Sequence, residues 1–153
     1  PILIEKFGGH AMAAGLSIHP QNLLQFKEAF SEAISKHLNG KKPALDLLTD
    51  GQLDASEMTL KNAQLLCSSA PWGQGFEEPI FYGDFEILDQ KIVGEKHLKC
   101  TLKLIVGTAI FDGIAFFQEK LKSKKARVAY KLNVNSYRGN ESLQLMIESI
   151  ESS

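Results

Sequence analysis

No run of 18 apolar residues occurs in this 153-residue chain, and no basic segment leads into an apolar one. The sequence therefore offers neither a membrane-spanning helix nor a secretory leader. Cysteine is scarce: Cys67 and Cys100 lie far apart, with no C-x-x-C spacing. Such a pair does not build a disulfide framework or a thiolate metal site, and reads as reduced core thiols of a cytoplasmic protein. The four histidines, His10, His19, His37 and His97, form no H-x-x-x-H pair and no Asp-His-His triplet. Carboxylates are scattered apart from Glu77-Glu78. Two-metal phosphodiester cleavage needs clustered carboxylates and imidazoles, so no metal site is expected here. There is no G-x-S-x-G elbow, and the loop from Ala70 to Phe76 lacks the Gly-Lys-Ser/Thr ending of a P-loop. Catalysis by this chain alone is not expected.

Hydrophobic residues make up 44% of the chain, enough for a packed core. The net charge of −1 conceals an uneven distribution. Residues 1–78 carry six Lys/Arg and nine Asp/Glu, whereas residues 90–138 carry eleven Lys/Arg against Glu95, Asp112 and Glu119. A locally basic region can hold a phosphate backbone although the whole chain is near neutral. The alternative is that the lysines only decorate solvent faces.

Taken in order, Ile2 to Ile4 predicts a strand entering a glycine turn, and Leu16 to Ile18 a strand leaving it, stopped by His19-Pro20. Apolar residues from Leu23 to Ile34 recur at three- and four-residue steps, which predicts an amphipathic helix to about Leu38, capped by Asn22 and stopped by Asn39-Gly40. The Pro1 start, inside an apparent strand, predicts a piece of a longer protein. Residues 1–40 are too few to close a core, and the exposed helix face of residues 22–38 is expected to invite dimerisation. Lys41-Lys42-Pro43 reads as a linker. The leucines from Leu45 to Leu53 read as a strand with a bend at Thr49-Asp50-Gly51, followed by a helix near 59–69. The rest alternates as strands: Phe85–Val93, His97–Leu104, Ala109–Phe117, Val128–Val134 and Leu143–Ile150. A lysine-rich turn of helix is expected near Gln118–Lys125, and a hairpin at Tyr137–Asn140. The fold class is α+β: a small barrel of five to six mostly antiparallel strands over residues 41–153, preceded by a partial α/β segment over residues 1–40.

The most unusual stretch is Lys6 to Ile18, KFGGHAMAAGLSI. Gly8-Gly9 permits positive φ or a close approach, and His10 at its lip is placed to touch an anion. The bland reading is a tight turn into a packed strand. This stretch resembles the Gly-Gly-His-x-x-Ala-Ala-Gly signature of the DHH-associated domain, in the form found in RecJ, the bacterial single-strand-specific 5′→3′ DNA exonucleases. SAPWGQGFEEPIF (69–81), KHLKCTLKL (96–104), DGIAFF (112–117) and NVNSYRGNESLQLMIESI (133–150) resemble further RecJ segments in the same order. Trp72 departs from the usual Phe, and Phe76-Glu77 from the usual Asn-Pro.

The resemblance implies a tail of the DHH-associated domain followed by an OB-fold, in an enzyme of DNA repair and recombination. It implies that manganese or magnesium belongs to a DHH domain upstream, with no cofactor in this piece. It gives His10 the role of phosphate donor across the cleft from the metals, with Gly8 and Gly9 beside it. Single-stranded DNA is the expected partner, held by Lys91, Lys96, Lys99 and Lys103 and closed over by Tyr137 and Arg138. Trp72, Phe76 and Tyr82 are candidate stacking platforms, with core packing the alternative, favoured for Phe76 and Phe81. Lys120, Lys122, Lys124 and Lys125 read as a solvated turn. A competing reading is a barrel that docks single-stranded-DNA-binding protein with little DNA contact. DHH-type oligoribonucleases and phosphatases share the glycine-histidine turn but end soon after it, so the barrel argues against them.

Overall fold

The computed structural model describes residues 3–39, 46–94 and 96–152. It divides into two units, Pro1–Asp46 and Leu47–Ser153.

In the first unit, strand β1 spans Lys6–His10 and pairs antiparallel with β2, Ala13–Ser17. The expected strand at Ile2–Ile4 is corrected: Leu3 and Ile4 lie outside any strand, and Ile2 lies outside the described residues. The chain reverses at Ala11-Met12, so the glycines sit within the ladder, Gly8 opposite Gly15 and Gly9 opposite Ala14. Neither Gly8 nor Gly9 takes positive φ. What Gly9 permits is proximity, since a Cβ there would lie 2.7 Å from the Ala14 Cβ.

A 3-10 turn at Pro20–Asn22 feeds α1, Leu23–His37. Asn22 caps nothing with its side chain. The 3-10 turn has already put its backbone in the helical region, whereas a capping side chain works from an extended residue. Asn39 ends the helix at φ 49, its N–H donating to the Lys36 carbonyl at 3.2 Å. The apolar stripe of α1 is not buried: Phe26 and Phe30 stack at 5.5 Å and line an open groove with Leu3, Ile4 and Phe7. The linker Lys41-Lys42-Pro43 lies outside the described residues.

The second unit is a closed five-stranded barrel in the order β3-β4-β5-β7-β6. The strands are β3 (Phe81–Val93), β4 (His97–Leu104), β5 (Ile110–Ala115), β6 (Lys125–Tyr137) and β7 (Asn140–Ser152). All neighbours are antiparallel except β5 and β7. This is the OB-fold arrangement, a Greek-key barrel of five strands.

Leu45 lies outside the described residues, and the rest of the leucine-rich segment, residues 46–53, is not a sixth strand. Only Gln52 bridges to Tyr82, while Asp50 binds the Ile80 backbone through its N–H and its carboxylate. Gly51 at φ 116 turns the chain, leaving Leu48 exposed and Leu53 packed on the core. The expected helix is present as α2, Leu60–Ser69, with the Thr59 hydroxyl accepting the Asn62 N–H at 3.2 Å. It turns Ala63 and Leu66 toward the barrel. The segment between β5 and β6 has no helical turn. Leu121 anchors it to the core, with its N–H and carbonyl both bonded to the Gln90 amide at 2.9 and 2.8 Å.

Tyr130, Phe85, Leu98, Leu102 and Leu145 fill the barrel. Tyr130 meets Phe85 edge-on at 5.7 Å, and its hydroxyl reaches the Met58 sulfur at 3.5 Å. Burial, and then the Glu57 charge, push its phenol up to about 12. Gly113 lies where the wall is tightest: a Cβ there would be 3.0–3.1 Å from Ile147, Cys100 and Leu102. Cys100 faces this interior, where burial first and Asp112 second push its thiol up to about 11 and keep it protonated. Cys67 is exposed on α2, so the expectation of two core thiols holds only for Cys100.

Candidate nucleic-acid interface

Strand alternation sends Leu98, Cys100 and Leu102 of β4 inward and His97, Lys99, Thr101 and Lys103 outward. On β3, Phe85 and Ile87 also point inward. Uninterrupted alternation would turn Lys91 inward as well. A bulge between Ile87 and Asp89 inserts Leu88 and flips the phase. Lys91 therefore shares the outward face and stands directly opposite Lys99.

Two ammonium groups facing each other across a ladder repel. The Asp112 carboxylate, 3.2 Å from the Lys99 Nζ, offsets only part of this. Lys91, Lys96 and Lys103 make no ion pair with any described residue. Two other cations of the basic region are committed. Arg127 grips Asp84 through two bonds of 2.9 and 3.1 Å, which holds the Asp84 carboxyl below its usual range. Lys131 sits 3.4 Å from both Glu78 and Glu148.

Tyr137 and Arg138 lie at the β6–β7 hairpin. Arg138 at φ 52 and Gly139 at φ 82 make the two-residue left-handed turn that matches strand twist. The Arg138 guanidinium lies over the Tyr137 ring at 5.2 Å.

The structure thus brings Lys91, Lys96 and Lys99 together near the β3–β4 turn. Lys103 pairs with Ile110 at the start of β5, and β7 runs parallel to β5 from its hairpin. Tyr137 and Arg138 consequently fall toward the Lys103 end of this face. In OB-folds the second and third strands, with the loops joining strands 1–2 and 4–5, form the oligonucleotide-binding face. Here those parts are β4, β5, the β3–β4 turn and the β6–β7 hairpin.

The candidate platforms fare unevenly. The Trp72 Nε1 donates to the Leu66 carbonyl at 2.8 Å, and its ring stacks on Phe76 at 4.8 Å. Phe76 is 56% exposed, so its expected place in the core is corrected, whereas Phe81 does pack there. Arg127 covers the Tyr82 ring at 5.6 Å. Sequence reasoning missed a different aromatic group, Phe116 and Phe117 beside His97, by extending β5 through Phe117. The available signal was adjacency: after the inward Ala115, two consecutive aromatics cannot both enter the core.

His10, the other candidate, is the last residue of β1 and is exposed opposite Ala13. Gly8 and Gly9 precede it in the same strand. Among the described residues, no three His, Cys, Asp or Glu side chains gather where a metal ion could be held. No helix among them is long and apolar enough to cross a membrane.

The chain is 44% identical to the single-stranded-DNA-specific exonuclease RecJ of Haemophilus influenzae, over 99% of this chain and 28% of that protein. It is 41% identical to the enzyme of the same name from Escherichia coli, over 98% of this chain and 27% of that one. It thus spans little more than a quarter of these relatives. The fold matches the crystal structure of RecJ in complex with Mg2+ from Thermus thermophilus, at a TM-score of 0.64 and 20% identity over 99% of this chain and 23% of that one. The Mn2+ complex matches at 0.60 and 22%, over 99% of this chain and 22% of that one. The sequence pattern of the RecJ OB domain matches residues 49–149, which take in all of the barrel but the last three residues of β7, and the chain belongs to that family.

Proposed function

We propose that this chain is the C-terminal portion of a RecJ-like single-strand-specific 5′→3′ exonuclease of DNA repair and recombination, working in the cytoplasm. Residues 1–40 form the end of its DHH-associated domain, and residues 41–153 form an OB-fold domain that holds single-stranded DNA. The observation that carries this reading is the outward lysine row. A bulge re-aims Lys91 to face Lys99, and Lys96 and Lys103, the latter across from Glu86, extend the row with no ion pair to any described residue. A phosphate backbone relieves that repulsion, and releases its own counterions as it binds.

The hydrolytic metals, magnesium or manganese, belong in this reading to a DHH domain outside the chain. His10, Gly8 and Gly9 line the cleft on the side facing them and meet the phosphate. The purified chain, given manganese and 5′-phosphorylated single strands, is expected to show no turnover. Activity that co-purifies with it would overturn the placement.

Binding is tested by titrating fluorescent oligo-dT into the chain at several salt concentrations. A steep salt dependence is expected, and Lys99→Ala with Lys103→Ala should flatten its slope by about 1.4, at ~0.7 for each phosphate no longer neutralised. A double variant that binds like wild type at every salt concentration would move the groove elsewhere. Little affinity at any salt would favour a barrel that docks single-stranded-DNA-binding protein.

A further inference from the structure

The aromatic group beside the lysine row has features that packing does not explain. β5 ends at Ala115, and Phe116 and Phe117 beyond it are 51% and 78% exposed. Phe117 is held at φ 54. The left-handed region disfavours a bulky side chain, and such strain persists only where the surroundings impose it. The surroundings here are His97. Its ring meets Phe116 edge-on at 5.0 Å and Phe117 at 5.2 Å, while its Nδ1 accepts the Phe117 N–H at 3.3 Å. That bond requires the neutral imidazole to carry its proton on Nε2. Below it Gly94, at φ 55, keeps the turn close to the imidazole; a Cβ there would lie 3.3 Å from the His97 Cδ2. The molecule thus fixes an aromatic ring in solvent with little burial in return.

Beside the ring, Ile92, Lys96, Gln118, Glu119 and Lys120 complete an open recess. Lys96 and Lys120 supply two cations against the one carboxylate of Glu119. Lys99 lies two residues along β4 from His97, so the recess continues the lysine row.

We propose that Phe117, braced by His97, is a nucleobase-stacking site, with Lys96 and Lys120 meeting the phosphates on either side of the stacked nucleotide. This rests on the single-strand-binding reading above. The occupant is argued from charge complementarity and ring geometry: every base offers a π-face, and the neighbouring cations suit its backbone.

The test uses Phe117→Gly and Phe117→Trp in the full chain. Glycine accepts φ 54 without strain, so Phe117→Gly should melt no lower than wild type. Its affinity for oligo-dT should fall roughly tenfold. The salt slope should stay unchanged because no charge is removed, which separates this loss from that of the lysine variants. Wild type should prefer oligo-dT to an abasic deoxyribose-phosphate strand of equal length. The glycine variant should lose most of that preference, and Phe117→Trp should keep it. If wild type binds oligo-dT but Phe117→Gly binds it equally well, the stacking site is wrong while the binding face stands. A lower melting temperature for the glycine variant would make the ring a structural prop and also refute the site. If wild type binds neither strand, both readings fall together.

Discussion

On the function proposed above, replacing His10 with alanine in the full-length protein is expected to lower exonuclease turnover by roughly a hundredfold or more, as loss of one donor aimed at developing charge does. The role given to His10 comes from the resemblance of residues 6–18 to the DHH-associated domain, and the fold says what the substitution leaves intact. His10 ends β1, exposed, at the lip of the Ala11-Met12 reversal, and the hairpin register is held by backbone pairing from Lys6 to Ser17. Removing the imidazole leaves that ladder intact, so the fold should survive. Single-turnover digestion of a 5′-phosphorylated strand, with circular dichroism on the same sample, measures both. A variant with near-native turnover takes His10 out of the mechanism. His10→Gln, which keeps a donor without a titratable ring, should retain more activity than alanine.

The second large effect concerns the fold. Tyr130→Ala is expected to destabilise the barrel by about 3–5 kcal/mol, as truncation of a buried aromatic does. Tyr130 is fully buried, and it touches both Phe85 and Phe81. The cavity would open between β6, β3 and the segment carrying Met58, three parts of the chain brought together only by folding. Tyr130→Phe removes just the hydroxyl that reaches the Met58 sulfur, and should cost about 1 kcal/mol. Urea unfolding followed by tryptophan fluorescence separates the two. A Tyr130→Ala variant as stable as Tyr130→Phe would show that the core does not depend on this ring.

The sequence was most legible where one period ran unbroken. His97 to Leu104 alternates without exception, and β4 occupies those residues. The helix of residues 23–37 and the one near 59–69 were equally plain. Legibility failed where tertiary contacts override local pattern. Leu47 to Leu53 has the composition of a strand, yet Gly51 turns it beside β3 with a single bridge. Gly8-Gly9 looks like a bend and is instead the interior of a strand, because the Ala13-Ala14 side needs room for a close backbone. In the candidate site, the basic residues of β4 could be read from alternation. The outward aim of Lys91 depends on a one-residue bulge that composition does not announce. The Phe117 platform depends on a backbone conformation that residue type argues against.

The insertion of β7 between β5 and β6 also governs timing. Until β7 emerges from the ribosome, β5 has no partner on one side and β6 lacks its longer ladder. The wall bearing the lysine row cannot close into a cylinder before then, and its sheet edge stays available to other strands. During synthesis this region therefore depends on late-arriving residues for protection from mispairing, and a nascent chain halted before β7 should be a client for chaperones rather than a ligand for DNA.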